Sequence, residues 1–168
     1  MQSLPETGPV RFREVLSHFA SGVVVVTAVV DGTPLGLTCQ SFTSLSLDPP
    51  LVLFCPAKTS RSWPLVSQAP HLCINVLSTE QQALSDAFAR SGSDKFAGVD
   101  WSPTPAGAPA LAGAHAHLEA SVRDVFEGGD HWIVTCTVSA LDAAPDLAPL
   151  LYYRSSYRAL GEGGPARV

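Results

Sequence analysis

A chain of 168 residues with 46% apolar content is long enough to bury a core of its own, so one domain is expected. The net charge of −5 and the scattered positions of ten Lys and Arg residues exclude the basic stripe that nucleic-acid binding requires. No apolar run approaches the roughly 20 residues that cross a bilayer, and the N-terminus has no cationic region followed by an apolar one, which predicts a cytoplasmic protein without a membrane anchor.

The first element predicted along the chain is an amphipathic helix within residues 9–20. Its apolar residues follow the i, i+3, i+4, i+7 spacing of a helix face and are Phe12, Val15, Leu16 and Phe19. The β-branched run 23–30 then meets the turn residues Asp31 and Gly32, and a strand-like segment resumes at Leu35. This order predicts a β-hairpin directly after the helix.

Short strands and short helices alternate in the middle of the chain. The Ser- and Thr-rich segment 41–47 stops at Asp48-Pro49-Pro50. Pro64 lies close to a predicted first helical turn, where proline is tolerated, and Ser78 and Gln81 have the spacing of a capping box. The predicted elements are strand 51–55, helix 59–68, strand 71–77 and helix 79–90.

A long loop and two long antiparallel strands are predicted for the last part of the chain. Residues 91–109 are dominated by Gly, Pro, Ser and Ala, and a loop of that length is more often functional than idle. Apolar residues then alternate on either side of the turn Glu127-Gly128-Gly129-Asp130. The alternating positions are Leu118, Ala120, Val122, Trp132, Val134, Cys136 and Val138. A final strand over 150–154 precedes a Gly-rich tail, 161–168, that we expect to be flexible.

Six or seven mostly meandering strands with two or three short helices favour a closed or split β-barrel over a parallel α/β sheet. The sequence therefore predicts a mainly β protein with short helices, organised as one domain over residues 1–160. It contains no G-x-G-x-x-G between a strand and a helix, no P-loop, no G-x-S-x-G and no H-E-x-x-H. The common enzymes that carry those motifs are disfavoured.

Cysteines and histidines give weak indications of chemistry. The four cysteines are far apart within or beside apolar segments and are predicted to be buried free thiols, with a reactive thiol or a disulfide as the alternative; they are Cys39, Cys55, Cys73 and Cys136. His115, His117 and Glu119 share one face of a strand, which permits a metal site, although a solvated strand face explains the same pattern better. We therefore predict no metal.

Hydroxyls and cations are concentrated between a strand end and a helix start. The residues are Ala57, Lys58, Thr59, Ser60, Arg61 and Ser62. Backbone N–H groups of a helix N-terminus, hydroxyls and cations all favour a phosphate, but an ordinary capped turn explains the same residues equally well. His131 follows the Gly-Gly-Asp turn, where a ligand could reach it, although a lone histidine at a strand start is more often structural.

Eight short segments occur in one order between about residue 10 and residue 160. They are segments 19–27, 36–38, 41–51, 58–60, 74–77, 95–98, 129–131 and 151–154, the last followed by Tyr157. The most specific are S-F-x-S-x-S-x-D-P-P, from Ser41 to Pro50, and Gly129-Asp130-His131. Together they resemble the short-chain flavin reductase family, which comprises the reductase components of two-component flavin-dependent monooxygenases.

The resemblance implies an FMN-binding split-barrel fold and a homodimer. It also implies that NADH or NADPH reduces FAD or FMN, and that reduced flavin passes to a separate monooxygenase. Hydride transfer between two cofactors needs no catalytic triad, because the protein has only to stack the two rings and exclude competing reactions. Two alternatives remain open: a non-catalytic flavin-binding carrier, and a related split-barrel oxidase acting on a pyridoxine-like substrate.

The site residues implied by the resemblance are four groups of binding residues and one histidine. Those along the isoalloxazine edge are Thr38, Gln40, Ser41 and Phe42. Those around the flavin phosphate are Lys58, Thr59, Ser60 and Ser62. A loop that approaches the flavin carries Lys95 and Phe96, and a terminal segment that helps close the site carries Tyr153, Arg154 and Tyr157. His131 corresponds to a histidine near the nicotinamide and flavin rings, where it orients the rings and is not an obligatory acid or base.

Overall fold

Helices are few and short in the computed structural model, which describes residues 8–92 and 94–160. They are α1 (Pro9–Leu16), α2 (Trp63–Val66) and α3 (Gln82–Ala89), the last preceded by a 3-10 turn over Thr79–Gln81. The N–H of Ser78 donates to Gln81 Oε1 at 3.1 Å, as the predicted capping box requires. Within the described residues, no helix is long and apolar enough to cross a membrane. The predicted flexible tail, 161–168, lies outside the described residues.

Strands dominate the structure and pair in an antiparallel manner throughout. In chain order they are β1 (Ser21–Gly22), β2 (Val24–Val30), β3 (Thr33–Cys39), β4 (Phe42–Leu47), β5 (Pro50–Phe54), β6 (Leu72–Val76), β7 (Trp101–Pro103), β8 (Pro109–Leu111), β9 (Ala116–Gly128), β10 (His131–Ala143), β11 (Leu151–Tyr153) and β12 (Ser156–Arg158). The prediction of a mainly β protein is confirmed, since 48% of the chain is strand and 15% is helix.

The largest sheet determines where the hairpin β9–β10 ends. Its seven strands have the order β3-β2-β6-β9-β10-β5-β4, and its two edge strands, β3 and β4, do not pair with each other. Such an open antiparallel sheet is expected of a split barrel. Strand β10 pairs with β9 as far as His131 opposite Gly128, and with β5 as far as Val134 opposite Phe54. The tip of the hairpin is therefore adjacent to the chain that follows β5.

Strand β2 explains how the core is divided. Val24 and Val26 belong to the main apolar cluster, whereas Val25 and Val23, the residue just before β2, belong to a second cluster with Phe88 of α3. Because successive side chains of a strand point to opposite faces, a continuous valine run is buried only when both faces are covered. The alternation predicted for the long hairpin is confirmed: Ala120, Val134, Cys136 and Val138 are buried in the main cluster, and Leu118, Val122 and Trp132 pack against it.

Several short strands were not predicted. Segment 41–47 forms β4, and most of its side chains are exposed. The predicted loop 91–109 contains β7, which pairs with β8 and shortens the irregular stretch. Strand β12 follows β11 after a tight turn. These strands are short or lie at a sheet edge, and such strands are defined by pairing with distant residues more than by their own apolar pattern.

The cysteines are all free thiols. Cys39, Cys73 and Cys136 are buried, as predicted, while Cys55 is half-buried. Burial raises the pKa of Cys39, Cys73 and Cys136 to about 12. Since the thiolate is the reactive form, these three cysteines are inert at neutral pH.

Candidate functional site

A cavity of about 670 Å³ opens where the end of β3, the segment after β5 and the end of α3 converge. This volume lies within the range typical of small-molecule and cofactor sites. Its lining residues are Val23, Leu37, Thr38, Cys39, Gln40, Ser41, Cys55, Pro56, Ala57, Thr59, Ser60, Arg61, Ser62, Ser85, Asp86, Phe88, Ala89, Arg90, Ser91, Lys95, His131, Tyr152 and Tyr157.

One wall of the cavity is the turn over residues 57–62 that precedes α2. The N–H of Ser60 donates to the carbonyl of Ala57 at 2.9 Å, which closes the turn. Ser60 Oγ accepts the N–H of Trp63, the first residue of α2, at 3.1 Å, which attaches the turn to the start of this helix. Thr59, Arg61 and Ser62 also line the cavity from this turn. Hydroxyls and a guanidinium therefore converge on one end of the space.

Lys95 joins three separate parts of the cavity wall. Its ammonium donates to Ser62 Oγ at 2.8 Å, to the carbonyl of Phe88 at 2.8 Å and to the carbonyl of Gly36 at 3.0 Å. An ammonium group has three N–H donors, so these acceptors use all of them. Burial lowers the pKa of Lys95. This lysine places a positive charge in the wall and holds the Ser62 hydroxyl, the end of α3 and β3 together.

The α3 side of the cavity carries a hydrogen-bonded tyrosine. Tyr157 Oη lies 2.8 Å from Asp86 Oδ1 and 2.9 Å from Ser85 Oγ. Burial raises the pKa of Tyr157, and the neighbouring Asp86 carboxylate adds to the rise. The Thr38 hydroxyl donates to the carbonyl of Ser85 at 2.7 Å, which attaches β3 to the same helix. Strand β12, α3 and β3 are thus linked at the cavity edge.

The tip of the β9–β10 hairpin brings His131 to the cavity wall beside the turn 57–62. His131 Nδ1 lies 2.8 Å from Asp130 Oδ1, and the hydrogen bond with His131 lowers the pKa of Asp130. A carboxylate only accepts hydrogen bonds, so Nδ1 carries the proton and Nε2 is the nitrogen that can meet a ligand. The N–H of Trp132 donates to the carbonyl of Pro56 at 2.9 Å, which fixes the tip against the turn.

Nine of the residues implied by the sequence line this cavity. They are Thr38, Gln40, Ser41, Thr59, Ser60, Ser62, Lys95, His131 and Tyr157. They come from segments up to 119 residues apart in sequence, counted from Thr38 to Tyr157. The structure thus brings together members of all four groups that the resemblance defined.

The remaining five predicted residues lie outside the cavity lining. Phe42 packs against the main core cluster, and Phe96 packs edge-on against Phe88, with 5.0 Å between ring centroids. Lys58 Nζ lies 3.3 Å from Glu127 Oε1. Tyr153 and Arg154 lie on the α1 side, where Tyr153 meets the ring of His18 at 6.4 Å and the N–H of Arg154 donates to Ser17 O at 2.9 Å.

Sequence reasoning missed the polar residues that α3 contributes to the cavity. Asp86 and Arg90 both line it, together with Ser85 and Ser91. Asp86 and Arg90 are four residues apart, so they share one face of the predicted helix 79–90. This spacing indicated that the two side chains lie together on the helix surface. Nothing in the local sequence showed that this helical face would be turned towards the turn 57–62.

Two of the three candidate metal residues, His117 and Glu119, have other partners. His117 Nε2 lies 2.9 Å from the carbonyl of Leu111. The Glu119 carboxylate accepts from the N–H of Ala106 at 2.8 Å and from Ser139 Oγ at 3.1 Å. Hydrogen bonds from Thr104, Ala106 and Ser139 lower the pKa of Glu119. In segments 8–92 and 94–160, no group of three or more His, Cys, Asp or Glu side chains is arranged to hold a metal ion.

Comparisons with known proteins agree with one another. Residues 16–161 match a family described as "Flavin reductase like domain". A Rhodococcus jostii protein named as the reductase subunit HsaB of a flavin-dependent monooxygenase is 49% identical over 149 residues, which cover 89% of this chain and 76% of the relative. Among solved structures, nitrilotriacetate monooxygenase component B from Mycobacterium thermoresistibile superposes with a TM-score of 0.89 at 44% identity and covers 95% of this chain and 91% of its own.

An NADH:FAD oxidoreductase from Streptomyces globisporus, solved in complex with NAD and FAD fragments, superposes with a TM-score of 0.87 at 36% identity. The match covers 93% of this chain and 94% of the Streptomyces protein. These structural matches confirm the split-barrel fold that the sequence predicted.

Proposed function

This chain belongs to the flavin reductase-like family, and on that premise we propose that it is an NAD(P)H:flavin oxidoreductase. The proposed activity is hydride transfer from NADH or NADPH to FAD or FMN, and the supply of reduced flavin to a separate flavin-dependent monooxygenase. The observation that carries the proposal is a cavity lined by a hydroxyl-rich, cationic turn and, beside that turn, by His131. The names of the Rhodococcus and Streptomyces relatives support it.

The charge of the cavity wall fits an anionic flavin. The chain as a whole has a net charge of −5. The lining nevertheless holds three cations, Arg61, Arg90 and Lys95, against a single carboxylate, Asp86. A local excess of positive charge in an acidic protein favours an anionic ligand. This distribution fits the phosphate of FMN or the diphosphate of FAD.

The turn 57–62 is the proposed phosphate site. Thr59, Ser60 and Ser62 supply hydroxyl groups, and Arg61 supplies a guanidinium that suits a phosphate. Because α2 has only four residues, its dipole contributes little, and the side chains provide most of the attraction. Lys95 contributes its charge from behind Ser62 and does not need to touch the phosphate.

The end of β3 and the start of β4 form the proposed wall for the isoalloxazine ring. Ser41 Oγ donates to the carbonyl of Cys55 at 2.9 Å and accepts the N–H of Cys55 at 3.1 Å. The Thr38 hydroxyl is bonded to the carbonyl of Ser85. Both hydroxyls therefore fix the shape of this wall. Gln40 is the side chain there with the reach to bond a ring edge, and Phe42 supports the wall from the core side.

His131 is proposed to orient the nicotinamide against the flavin. When bound, the flavin supplies the hydride acceptor and the nicotinamide supplies the donor. The protein has to hold two rings in contact and keep other reactants away, and orientation of this kind lowers the barrier of a bimolecular step. Asp130 fixes the imidazole by accepting a hydrogen bond from the Nδ1–H group. The proposal gives His131 no obligatory proton transfer.

Closure of the site and assembly are also parts of the proposal. Tyr157 is held at the cavity edge by Asp86, and Tyr153 and Arg154 belong to the same terminal segment, against the end of α1. A homodimer is proposed because α1 has no buried residue although its sequence is amphipathic. An apolar face of this kind is commonly covered by a second subunit.

The activity is tested by a steady-state matrix of NADH and NADPH against FAD, FMN and riboflavin. We expect nicotinamide oxidation that depends on added flavin, which the matched assay without flavin isolates. A flavin carrier would bind FMN or FAD but oxidise no nicotinamide. Absence of turnover with every pair, or turnover only with a pyridoxine-like substrate, would contradict the proposed function.

A further inference from the structure

Lys58 and Arg61, the two cations of the turn 57–62, point to opposite sides. Arg61 lines the cavity, whereas Lys58 Nζ lies 3.3 Å from Glu127 Oε1 and 4.7 Å from the centroid of the Trp132 ring. Glu127 and Trp132 flank the tip of the β9–β10 hairpin, one on each strand. The lysine ammonium thus binds the hairpin that carries His131.

The backbone of the same lysine is attached to the same tip. The N–H of Lys58 donates to the carbonyl of Asp130 at 2.9 Å, and Ala57 forms a β-bridge with His131. Together with the bond from Trp132 N–H to Pro56 O, these contacts extend the β5–β10 pairing beyond its last regular rung. The segment that leads into Thr59 and Ser60 is therefore also the support of the hairpin tip.

Beyond these backbone contacts, few buried contacts hold the hairpin tip. The side chains from Arg123 to Gly128 on β9 are exposed, and Gly129 at the turn has φ +75°. A strand end with few buried contacts moves readily unless it is tied down. The Lys58 side chain bridges both strands at this point, through the ion pair to one and the cation–π contact to the other.

We infer that Lys58 is a positioning residue that holds His131 in place by anchoring the hairpin tip, and that it is not a ligand of the flavin phosphate. The inference rests on the proposed function, because it assigns His131 to the nicotinamide side of the site. It predicts that loss of the Lys58 charge alters nicotinamide use and leaves the contribution of the flavin phosphate unchanged.

Lys58→Met tests the two roles, because methionine keeps a flexible apolar stem over Trp132 and removes the charge. We expect the KM for NADH to rise or kcat to fall, by about threefold to tenfold in kcat/KM, given the modest strength of an exposed ion pair and a cation–π contact. The ratio of FMN affinity to riboflavin affinity, measured by equilibrium titration, should equal that of the wild type. A lower ratio would assign Lys58 to the phosphate and overturn the inference.

Glu127→Gln separates the roles further, because they predict opposite results. If Lys58 anchors the hairpin, Glu127→Gln lowers kcat/KM for NADH as Lys58→Met does. The double variant, with both substitutions, then has the same kcat/KM as Lys58→Met alone. If Lys58 binds phosphate, removal of the competing carboxylate frees the ammonium and tightens FMN binding, which would overturn the inference.

Two controls complete the test. Arg123→Met removes a cation of the same hairpin that forms an ion pair with its neighbour Asp124, at 3.4 Å, and should leave the kinetics unchanged. Lys58→Arg keeps the charge and should restore most of the activity. A wild-type protein that fails to oxidise NADH in the presence of FMN would instead disprove the proposed function, and the inference with it, before any variant is compared.

Discussion

At the scale of single residues, the two lysines of the chain have different contacts. Lys58 and Lys95 are the only lysines in the sequence. Lys95 is turned inward and donates to three acceptors of the cavity wall, whereas Lys58 is turned outward to the hairpin. Of these two cations near the proposed phosphate site, Lys95 acts on the site through Ser62, whereas Lys58 holds the hairpin that carries His131.

Lys95→Met is predicted to weaken both the fold and flavin binding. The change leaves the carbonyls of Gly36 and Phe88 without their donor, which costs about 1–3 kcal/mol per buried acceptor. Urea denaturation should show a lower free energy of unfolding, and titration should show FMN losing more affinity than riboflavin. Lys58→Met is the matched control, because it removes a lysine from a more exposed site and should leave unfolding nearly unchanged. Equal stability of the two variants would contradict the structural role of Lys95.

His131→Ala is predicted to impair turnover and not flavin binding. The imidazole lies at the cavity wall and is held by Asp130, so its removal leaves the turn 57–62 intact. We expect kcat to fall or the KM for NADH to rise, with the Kd for FMN within about twofold of wild type. Asp130→Asn should give a smaller change in the same direction, since an amide can still accept from Nδ1. Unchanged steady-state kinetics of His131→Ala would refute the role assigned to this residue.

At the scale of secondary-structure elements, the position of α3 depends on a glycine of the neighbouring strand. A Cβ atom added at Gly36 would lie 2.7 Å from Phe88 Cε1 and 3.0 Å from the carbonyl oxygen of Val26. Phe88 is fully buried and is enclosed by the second core cluster. Strand β3 can approach α3 this closely because residue 36 has no side chain. The approach also brings the carbonyl of Gly36 within reach of Lys95.

Gly36→Ala is therefore predicted to destabilise the protein by about 1–3 kcal/mol through overpacking. The displaced helix carries Asp86 and is followed by Arg90, so flavin affinity should fall as well. Gly22→Ala is the matched control, because a Cβ at Gly22 meets nothing within 4 Å and its backbone is in an ordinary strand conformation. Thermal and urea unfolding of both variants measure the difference in the free energy of unfolding. Equal stability would contradict the prediction, because it would show that Phe88 can move aside without destabilising the protein.

The elements that could be predicted are those whose own sequence carries a pattern. The alternation along β9 and β10, the valine run of β2 and the capping box before α3 were all visible as local spacings. Strand β4 was not, because its exposed, hydroxyl-rich side chains resemble a loop and its pairing with β5 is set by the rest of the sheet. Local patterns thus defined the centre of the sheet better than its edges.

The same distinction applies to the candidate site. The hydroxyl-rich turn was visible because each of the five consecutive residues 58–62 carries a hydroxyl or a cation. The contribution of Asp86 and Arg90 could not be predicted, since it depends on which face of α3 packs against β3. The direction of the Lys58 side chain could not be predicted either, because Glu127 is 69 residues away in sequence.

At the scale of the whole molecule, exposed apolar side chains are concentrated at the N-terminal helix. Those on or just after α1 are Val10, Phe12, Val15, Leu16 and Phe19, with Phe19 82% exposed. Phe12, Leu16 and Phe19 line a second, smaller cavity together with Gln40 and Tyr152. Gln40 and Tyr152 also line the main cavity, so a subunit that covered α1 would adjoin the proposed flavin site.

Phe19→Glu is predicted to convert the proposed homodimer to a monomer, because it places a charge where an apolar face would be buried. Light scattering coupled to size-exclusion chromatography should report half the mass of the wild type. The KM for flavin should also rise, because Gln40 and Tyr152, which line both cavities, are no longer covered by the second subunit. Leu141→Glu is the matched control: Leu141 is 73% exposed on β10, away from α1, and this variant should keep the dimer mass. A Phe19→Glu protein that remained dimeric with unchanged kinetics would place the interface elsewhere and separate assembly from the flavin site.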